Sequence, residues 1–323
     1  MTKPLCRRTS LLLFVIFASA STCVCAQGKQ NATLKVFVLA GQSNMQGQGV
    51  VDLDHPQHYN GGKGTLVWSM ANSESRQQMK HLQDSAGNWV IRDDVVVRYQ
   101  TKQTLKHGGL TIGFTGYEGQ HHIGPELQFG HVVGDQFDDP VLLIKTCWGG
   151  KSLFKDFRPP SAGGETGKYF KQMISEIDDA LSSLQTDFPQ LEFDDYELTG
   201  FVWMQGWNDM VSEEARGEYA NNLLHLAKDV RQALKSPGLP IVVGELGNDG
   251  EAKPGSGMRL FRDAQKQGTS RIKHARFVIT HPFARPANMS PNVGHGHHWY
   301  GNAESYFLIG DALGRAMVDL LSN

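Results

Sequence analysis

Short apolar runs alternate with longer amphipathic segments along most of this chain. The runs at 34–40, 141–146, 198–204, 240–244 and 276–280 are five to seven residues long and rich in Val, Ile, Leu and Phe, the pattern of strands buried on both faces. The segments at 125–135, 168–184, 212–234, 257–267 and 302–321 read as helices. In the second of them Phe170, Met173, Ile174, Ile177 and Leu181 recur at helical spacing, which marks a face turned to a core. Pro125 suits a first helical position ahead of Glu126, and Glu213 and Glu214 suit a first turn, where negative charge meets the positive end of the helix dipole. Strands alternating with helices predict an α/β fold with a central parallel sheet covered on both faces, a three-layer α/β/α sandwich. Such sheets bind ligands beyond the carboxyl ends of their strands. Ser43, the Cys147-Trp148-Gly149-Gly150 turn and Gln205 each follow a predicted strand at that end. Two polar, Gly- and Pro-bearing stretches, 51–119 and 283–296, break the alternation and are expected to be loops walling a cleft, not a second domain.

The 323-residue chain is long enough for one large α/β domain, and its formal net charge of −2 lacks the basic excess of a nucleic-acid binder. The amino terminus has the pattern of a secretory signal. Lys3, Arg7 and Arg8 precede an apolar stretch at 11–20 that is short for a membrane span, and Val24-Cys25-Ala26 supplies small residues before Gln27. The expected organisation is a signal peptide at 1–26 and a single domain at 27–323, exported and without stable membrane association once cleaved. Cys6, Cys23 and Cys25 lie in the leader, so Cys147 alone would remain and no internal disulfide is expected. Following a strand-like run, Cys147 reads as a small buried apolar residue.

The chemistry-bearing residues fall into three blocks. Gly41-Gln42-Ser43-Asn44-Met45 follows the first apolar run directly, where a small-residue turn can present a serine hydroxyl at a strand end. Trp203-Met204-Gln205-Gly206-Trp207-Asn208-Asp209 follows the third, and Gly294-His295-Gly296-His297-His298-Trp299-Tyr300 precedes the last helix. Ester hydrolysis needs a hydroxyl, a base to take its proton and donors for the developing oxyanion. Ser43 is the candidate nucleophile and His298 the candidate base, with His295 and His297 competing for that role.

These blocks carry a resemblance. The first matches, letter for letter, the opening block of SGNH-type hydrolases of the sialate O-acetylesterase-like group, which includes acetylxylan esterases. Cys147-Trp148-Gly149-Gly150-Lys151-Ser152-Leu153 resembles its Gly-Gly block, and Trp203-Met204-Gln205-Gly206 its Trp-x-Gln-Gly block. The resemblance runs over roughly residues 34–319. It implies a flavodoxin-like α/β/α fold, a serine esterase acting on acetylated carbohydrate, and no cofactor or metal. The oxyanion donors it suggests are the Ser43 and Gly150 amides and the Gln205 side chain, with Asn44, Asn208, Asp209 and His295 as further contacts or supports. Gly206-Trp207-Asn208-Asp209 also reads as the Gly-x-Asn-Asp of more distant SGNH enzymes, which would give the donor role to Asn208. Alignment through Trp203 favours Gln205.

One departure matters. The family carries Asp three residues before its catalytic His; here that position is His295. A second imidazole cannot supply the negative charge that steadies an imidazolium. The expectation is a Ser-His dyad whose histidine is oriented by a neutral acceptor, a backbone carbonyl or His295, and titrates near ordinary histidine values. Asp209, Glu126 and Glu245 are the carboxylates that would restore a triad. Two other function classes stay open. One is a metal site from His295, His297, His298 and His121-His122. The other is a sugar-binding protein with a degenerate site, using Trp68, Trp148, Trp207, Trp299 and Tyr300 as stacking platforms.

Overall fold

The computed structural model describes residues 1–2, 32–52 and 60–322; the leader pattern lies outside the described residues. The strands are β1 (Thr33–Gly41), β2 (Gly49–Val50), β3 (Arg92–Gln100), β4 (Leu105–Leu110), β5 (His122–Ile123), β6 (Val141–Cys147), β7 (Asp195–Met204), β8 (Ile241–Gly244) and β9 (Ala275–Val278). The helices are α1 (Ser43–Gln46), α2 (Leu66–Asn72), α3 (Glu126–Gly134), α4 (Lys168–Ser182), α5 (Leu184–Asp187), α6 (Trp207–Met210), α7 (Glu213–Ala233), α8 (Gly257–Ser270) and α9 (Ala303–Leu321). Seven strands form one sheet in the order β4-β3-β6-β1-β7-β8-β9. All neighbours in it are parallel except β3 and β4.

The alternation along β1 shows how the layers form. Phe37 and Leu39 turn to a core shared with Leu127, Phe129 and Val133 of α3 and Tyr306, Phe307 and Leu313 of α9. Val36, Val38 and Ala40 turn to the other face, against Met173 and Ile177 of α4, Tyr219 and Leu223 of α7 and Phe261 of α8. Period-2 strands between amphipathic helices therefore build the expected sandwich. No helix among the described residues is long and apolar enough to cross a membrane.

One expectation needs correcting. The stretch at 51–119 is not loop throughout: it contains α2 and the antiparallel β3–β4 pair, which makes the sheet mixed. Val95, Val96, Val97 and Tyr99 are fully buried, and β3 pairs with β6. The run Val95-Val96-Val97 is short and flanked by charged residues, and Gly108 and Gly109 dilute its partner, so hydropathy conceals an interior strand.

The strand ends place the site. Gly41 closes β1 opposite Cys147 of β6 on one side and Met204 of β7 on the other. All three sequence blocks that follow these strands are thus neighbours. Gly41 is required there: at φ +152 a β-carbon would run into the Met204 carbonyl.

Candidate active site

Ser43 opens the one-turn α1 just beyond β1 and is buried to within 8% of its surface. Its Oγ lies 2.9 Å from His298 Nε2, across 255 residues of sequence. The hydroxyl donates to Nε2 when the imidazole carries its proton on Nδ1, the arrangement a general base needs. His298 belongs to a tight turn over Gly296–Gly301 ahead of α9. Trp299 and Tyr300, directly after it, hold left-handed backbone at φ +54 and +53, a strained pair for side chains of this size. Hydrogen bonds hold the turn: Asn292 N to Tyr300 O at 2.7 Å and Tyr300 N to His295 O at 3.1 Å.

The same turn is tied to the nucleophile segment. Asn44 Nδ2 donates to His297 O at 3.1 Å, and Tyr306 OH bridges Asn44 Oδ1 at 2.7 Å and His298 O at 3.3 Å. Asn44 therefore braces the turn that carries His298, and Tyr306 is a second brace that nothing in the sequence marks. Below α1, Lys145 Nζ donates to Gln46 O at 3.2 Å, to Phe114 O at 2.6 Å and to Glu126 Oε2 at 2.7 Å. Both members of that ion pair are wholly buried.

The oxyanion side differs from expectation at one residue. Gln205 does not offer its amide to Ser43. Its Nε2 donates to Lys151 O at 2.9 Å and Asp209 Oδ2 at 2.5 Å, and its Oε1 accepts from Tyr219 OH at 3.0 Å. Both N–H bonds are spent in the interior, so Gln205 is a scaffold for the Lys151 turn. Asn208 is placed otherwise. Gln42, the residue before Ser43, donates through Nε2 to Asn208 Oδ1 at 3.3 Å and accepts Gly206 N on Oε1 at 2.9 Å. Asn208 is half-buried, and its Nδ2 makes no hydrogen bond to a described residue. Asp209 accepts Leu153 N at 2.9 Å and Phe154 N at 2.8 Å, holding the loop after Gly150. Burial pushes its carboxyl up to about 6 against the pull of these donors.

In the Gly-Gly turn, a β-carbon on Gly149 would stand 3.6 Å from the Ser43 β-carbon and 3.0 Å from Gln46 Oε1, so Gly149 is the close-packed glycine. Gly150 adopts φ +71, and its side-chain direction is open.

No carboxylate among the described residues bonds the His298 ring. Glu126 is bound to Lys145 and to Gly124 N, Asp209 to the loop, and Glu245 to Thr280 N and His281. The expected neutral acceptor is also missing: only Nε2 of His298 has a described partner, and His295 Nδ1 takes Asn292 Nδ2 at 2.8 Å instead. His295 and His297 crowd the ring at centroid distances of 6.1 and 4.1 Å. Burial first, then these two imidazoles, push His298 down to about 4, well below the ordinary value expected from the sequence.

The alternative readings meet the structure as follows. No group of three or more His, Cys, Asp or Glu among the described residues is arranged to hold a metal ion. His121 instead faces Asp52 at 3.0 Å, and His122 stacks on Tyr117. Trp148 and Trp299 are buried and serve packing, while Trp207 is half-buried, with its ring 5.5 Å from that of His297. Cys147 is buried, and its thiol is pushed up to about 12 by burial, which suits a packing residue and not a nucleophile.

Comparisons with known proteins bear on the family and the fold. A probable carbohydrate esterase of Arabidopsis thaliana is 23% identical over 211 residues, 64% of this chain and 67% of that protein. Among solved structures, an Arabidopsis thaliana protein superposes with a TM-score of 0.55 at 17% identity, covering 89% of this chain and 98% of that one. NanS superposes at 0.52 with 13% identity, covering 90% and 98%. A carbohydrate acetylesterase from Xanthomonas citri superposes at 0.51 with 14% identity, covering 87% of this chain and 57% of that one. The likeness to these structures establishes the α/β fold. The model of the family described as carbohydrate esterase, sialic acid-specific acetylesterase, matches residues 33–319. The chain is thus a carboxylic ester hydrolase, and it belongs to the carbohydrate esterase family of sialic acid-specific acetylesterases.

Proposed function

We propose that this protein is an exported serine esterase that removes acetyl groups from carbohydrate hydroxyls through a Ser43-His298 dyad. The observation that carries the reading is the 2.9 Å contact between Ser43 Oγ and His298 Nε2 at the carboxyl end of β1. Ser43 attacks the acetyl carbonyl as His298 takes its proton. The oxyanion is met by the backbone amides of Ser43 and Gly150 and by Asn208 Nδ2, which Gln42 turns outward. His298 then protonates the departing sugar hydroxyl. In the second half it takes a proton from water, which attacks the acetyl-enzyme and releases acetate. With no described carboxylate on the ring, the imidazolium is stabilised less than in a triad, and Asn44 and Tyr306 contribute orientation in place of charge. The leader-like pattern at 1–26 supports export. The half-buried Trp207 beside His297 offers a ring face to a sugar.

Acetate release from a panel of acetylated glycans, acetylxylan and O-acetylated sialosides included, tests this directly. Wild-type protein should release acetate and take a serine-reactive phosphonate on Ser43, and folded Ser43→Ala should do neither. Full turnover by Ser43→Ala would overturn the mechanism. Glycan binding by the wild type without any release would show a degenerate site.

A further inference from the structure

At the opposite ends of the strands from Ser43, the molecule carries a second depression. α7 ends at Ala233 and leads into β8 at Ile241, while α8 ends at Ser270 and leads into β9 at Ala275. An open groove of about 460 Å³ lies where these two helices finish. Its floor is apolar, made by Leu224, Ala227 and Ile272. Lys228, Arg231, Lys235, Arg271 and Lys273 surround that floor, and no described Asp or Glu lines it. The volume is within the range of sites for small ligands or single ligand segments.

The charge segregation is local. Several arginines elsewhere are paired with carboxylates, Arg92 with Asp94 and Asp135, Arg98 with Asp187, Arg158 with Glu218, Arg259 with Asp263 and Arg315 with Asp311, while Arg76 and Arg216 bond carbonyls. None of the five groove cations makes an ion pair with a described residue. Arg231 donates only to carbonyls, to Leu239 O at 2.8 and 3.0 Å and to Lys273 O at 2.7 Å, and Arg271 only to Asn221 Oδ1 at 2.8 Å. Burial lowers the proton affinity of Arg231, and no carboxylate opposes that effect.

The negative ends of two helices make cations tolerable here, but that effect fades within the last turn, and Lys228 precedes the last turn of α7. Lys235 adds a second oddity. It takes the left-handed position that closes α7, φ +53, with Ser236 N bonded to Arg231 O at 3.0 Å. Glycine is favoured at that position; here a lysine takes it, and its side chain lines the groove.

We propose that this groove binds an anionic carbohydrate polymer, a glycan with carboxylates on its sugars, and tethers it while Ser43 acts on acetyl esters elsewhere on the same chain. The cations meet the carboxylates, and the apolar floor meets the C–H face of a sugar ring. The choice of a glycan rests on the esterase reading; the groove and its charge do not. A polymer held at this face raises the effective concentration of its other acetyl groups at the active site.

The test uses polygalacturonate as probe and Ser43→Ala protein as host, so that binding is read without turnover and stands or falls apart from the esterase mechanism. Calorimetry at low salt should show binding that weakens toward physiological ionic strength, where the screening length shortens to about 8 Å. Lys228→Glu/Lys273→Glu should weaken binding about tenfold or more, and Lys228→Gln/Lys273→Gln should fall between that variant and the parent. In the Ser43-bearing protein the same changes should leave hydrolysis of a small neutral acetyl ester unaltered and raise the apparent KM for acetylated polygalacturonate. The proposal is overturned if polygalacturonate does not bind at low salt, or if the folded Gln or Glu variants bind as the parent does. It is equally overturned if a neutral glycan binds as well, or if duplex DNA or phosphatidylglycerol vesicles compete for the same residues more tightly.

Discussion

Replacing Asn208 and Gln205 separately by alanine distinguishes a residue that faces the reaction from one that holds the scaffold. Asn208 has its Oδ1 held by Gln42 through one long bond of 3.3 Å and its Nδ2 without a described partner, so truncation removes a donor and costs the structure only that one bond. Loss of one oxyanion donor typically lowers kcat about 10²–10³-fold, roughly 2.7–4 kcal/mol of transition-state stabilisation. Gln205 is different. Its removal takes one donor from the buried Asp209, leaves Lys151 O without this partner and removes an acceptor of Tyr219 OH. Each buried polar group left unsatisfied costs about 1–3 kcal/mol, so Gln205→Ala should lose several kcal/mol of stability. At about 2–4 °C per kcal/mol, the melting temperature should fall by roughly 10 °C. Steady-state kinetics on 4-nitrophenyl acetate and thermal melts measure both quantities on the same preparations. Asn208→Ala should melt near wild type and lose 10²-fold or more in kcat. Gln205→Ala should melt early and, below its transition, keep kcat within about tenfold. The reasoning is refuted if Gln205→Ala melts normally with kcat lost and Asn208→Ala stays active.

The pH profile offers a second check. In the proposed mechanism His298 acts as the neutral base, and it is pushed down to about 4, so the acid limb of kcat/KM should fall near pH 4 and not near the ordinary 6.5. His295→Asp places a carboxylate beside the imidazole, favours the imidazolium and should move that limb upward, with a higher kcat; an unchanged limb would count against the crowding argument. Lys145→Met leaves the Glu126 carboxylate buried without its partner and should cost about 3–5 kcal/mol in chemical denaturation, with part recovered in Lys145→Met/Glu126→Gln. Tyr306→Phe removes the hydroxyl that joins Asn44 to the His298 carbonyl and should lower kcat about tenfold with KM unchanged, since it disturbs orientation and not substrate binding. A KM effect alone would deny it that positioning role.

Much of the fold was legible because its signal is local. The apolar runs and helical stripes predicted β1, β6, β7, β8 and β9 and the helices α3, α4, α7, α8 and α9 to within a few residues. β3 and β4 were not legible. Their membership of the sheet comes from pairing with β6 and with each other, and pairing has no signature in Val95-Val96-Val97 between charges or in the glycines of the partner strand.

The site divides in the same way. The sequence by itself determined that a serine turn, a Gly-Gly turn and an amide-bearing block each follow a strand, and a parallel sheet then gathers them at one edge. It also determined that no Asp stands three residues before His298. Only the tertiary structure decided which histidine meets Ser43, because the left-handed backbone at Trp299 and Tyr300 and the Asn44-Tyr306 bridge aim the turn. It also decided between two amides three residues apart. Gln205 and Asn208 look alike as donors in sequence, but partners far along the chain, Lys151, Tyr219 and Gln42, determine which amide is consumed and which remains free. The downward push on the His298 pKa also comes from the fold, since burial and neighbouring charge exist only once the chain has folded.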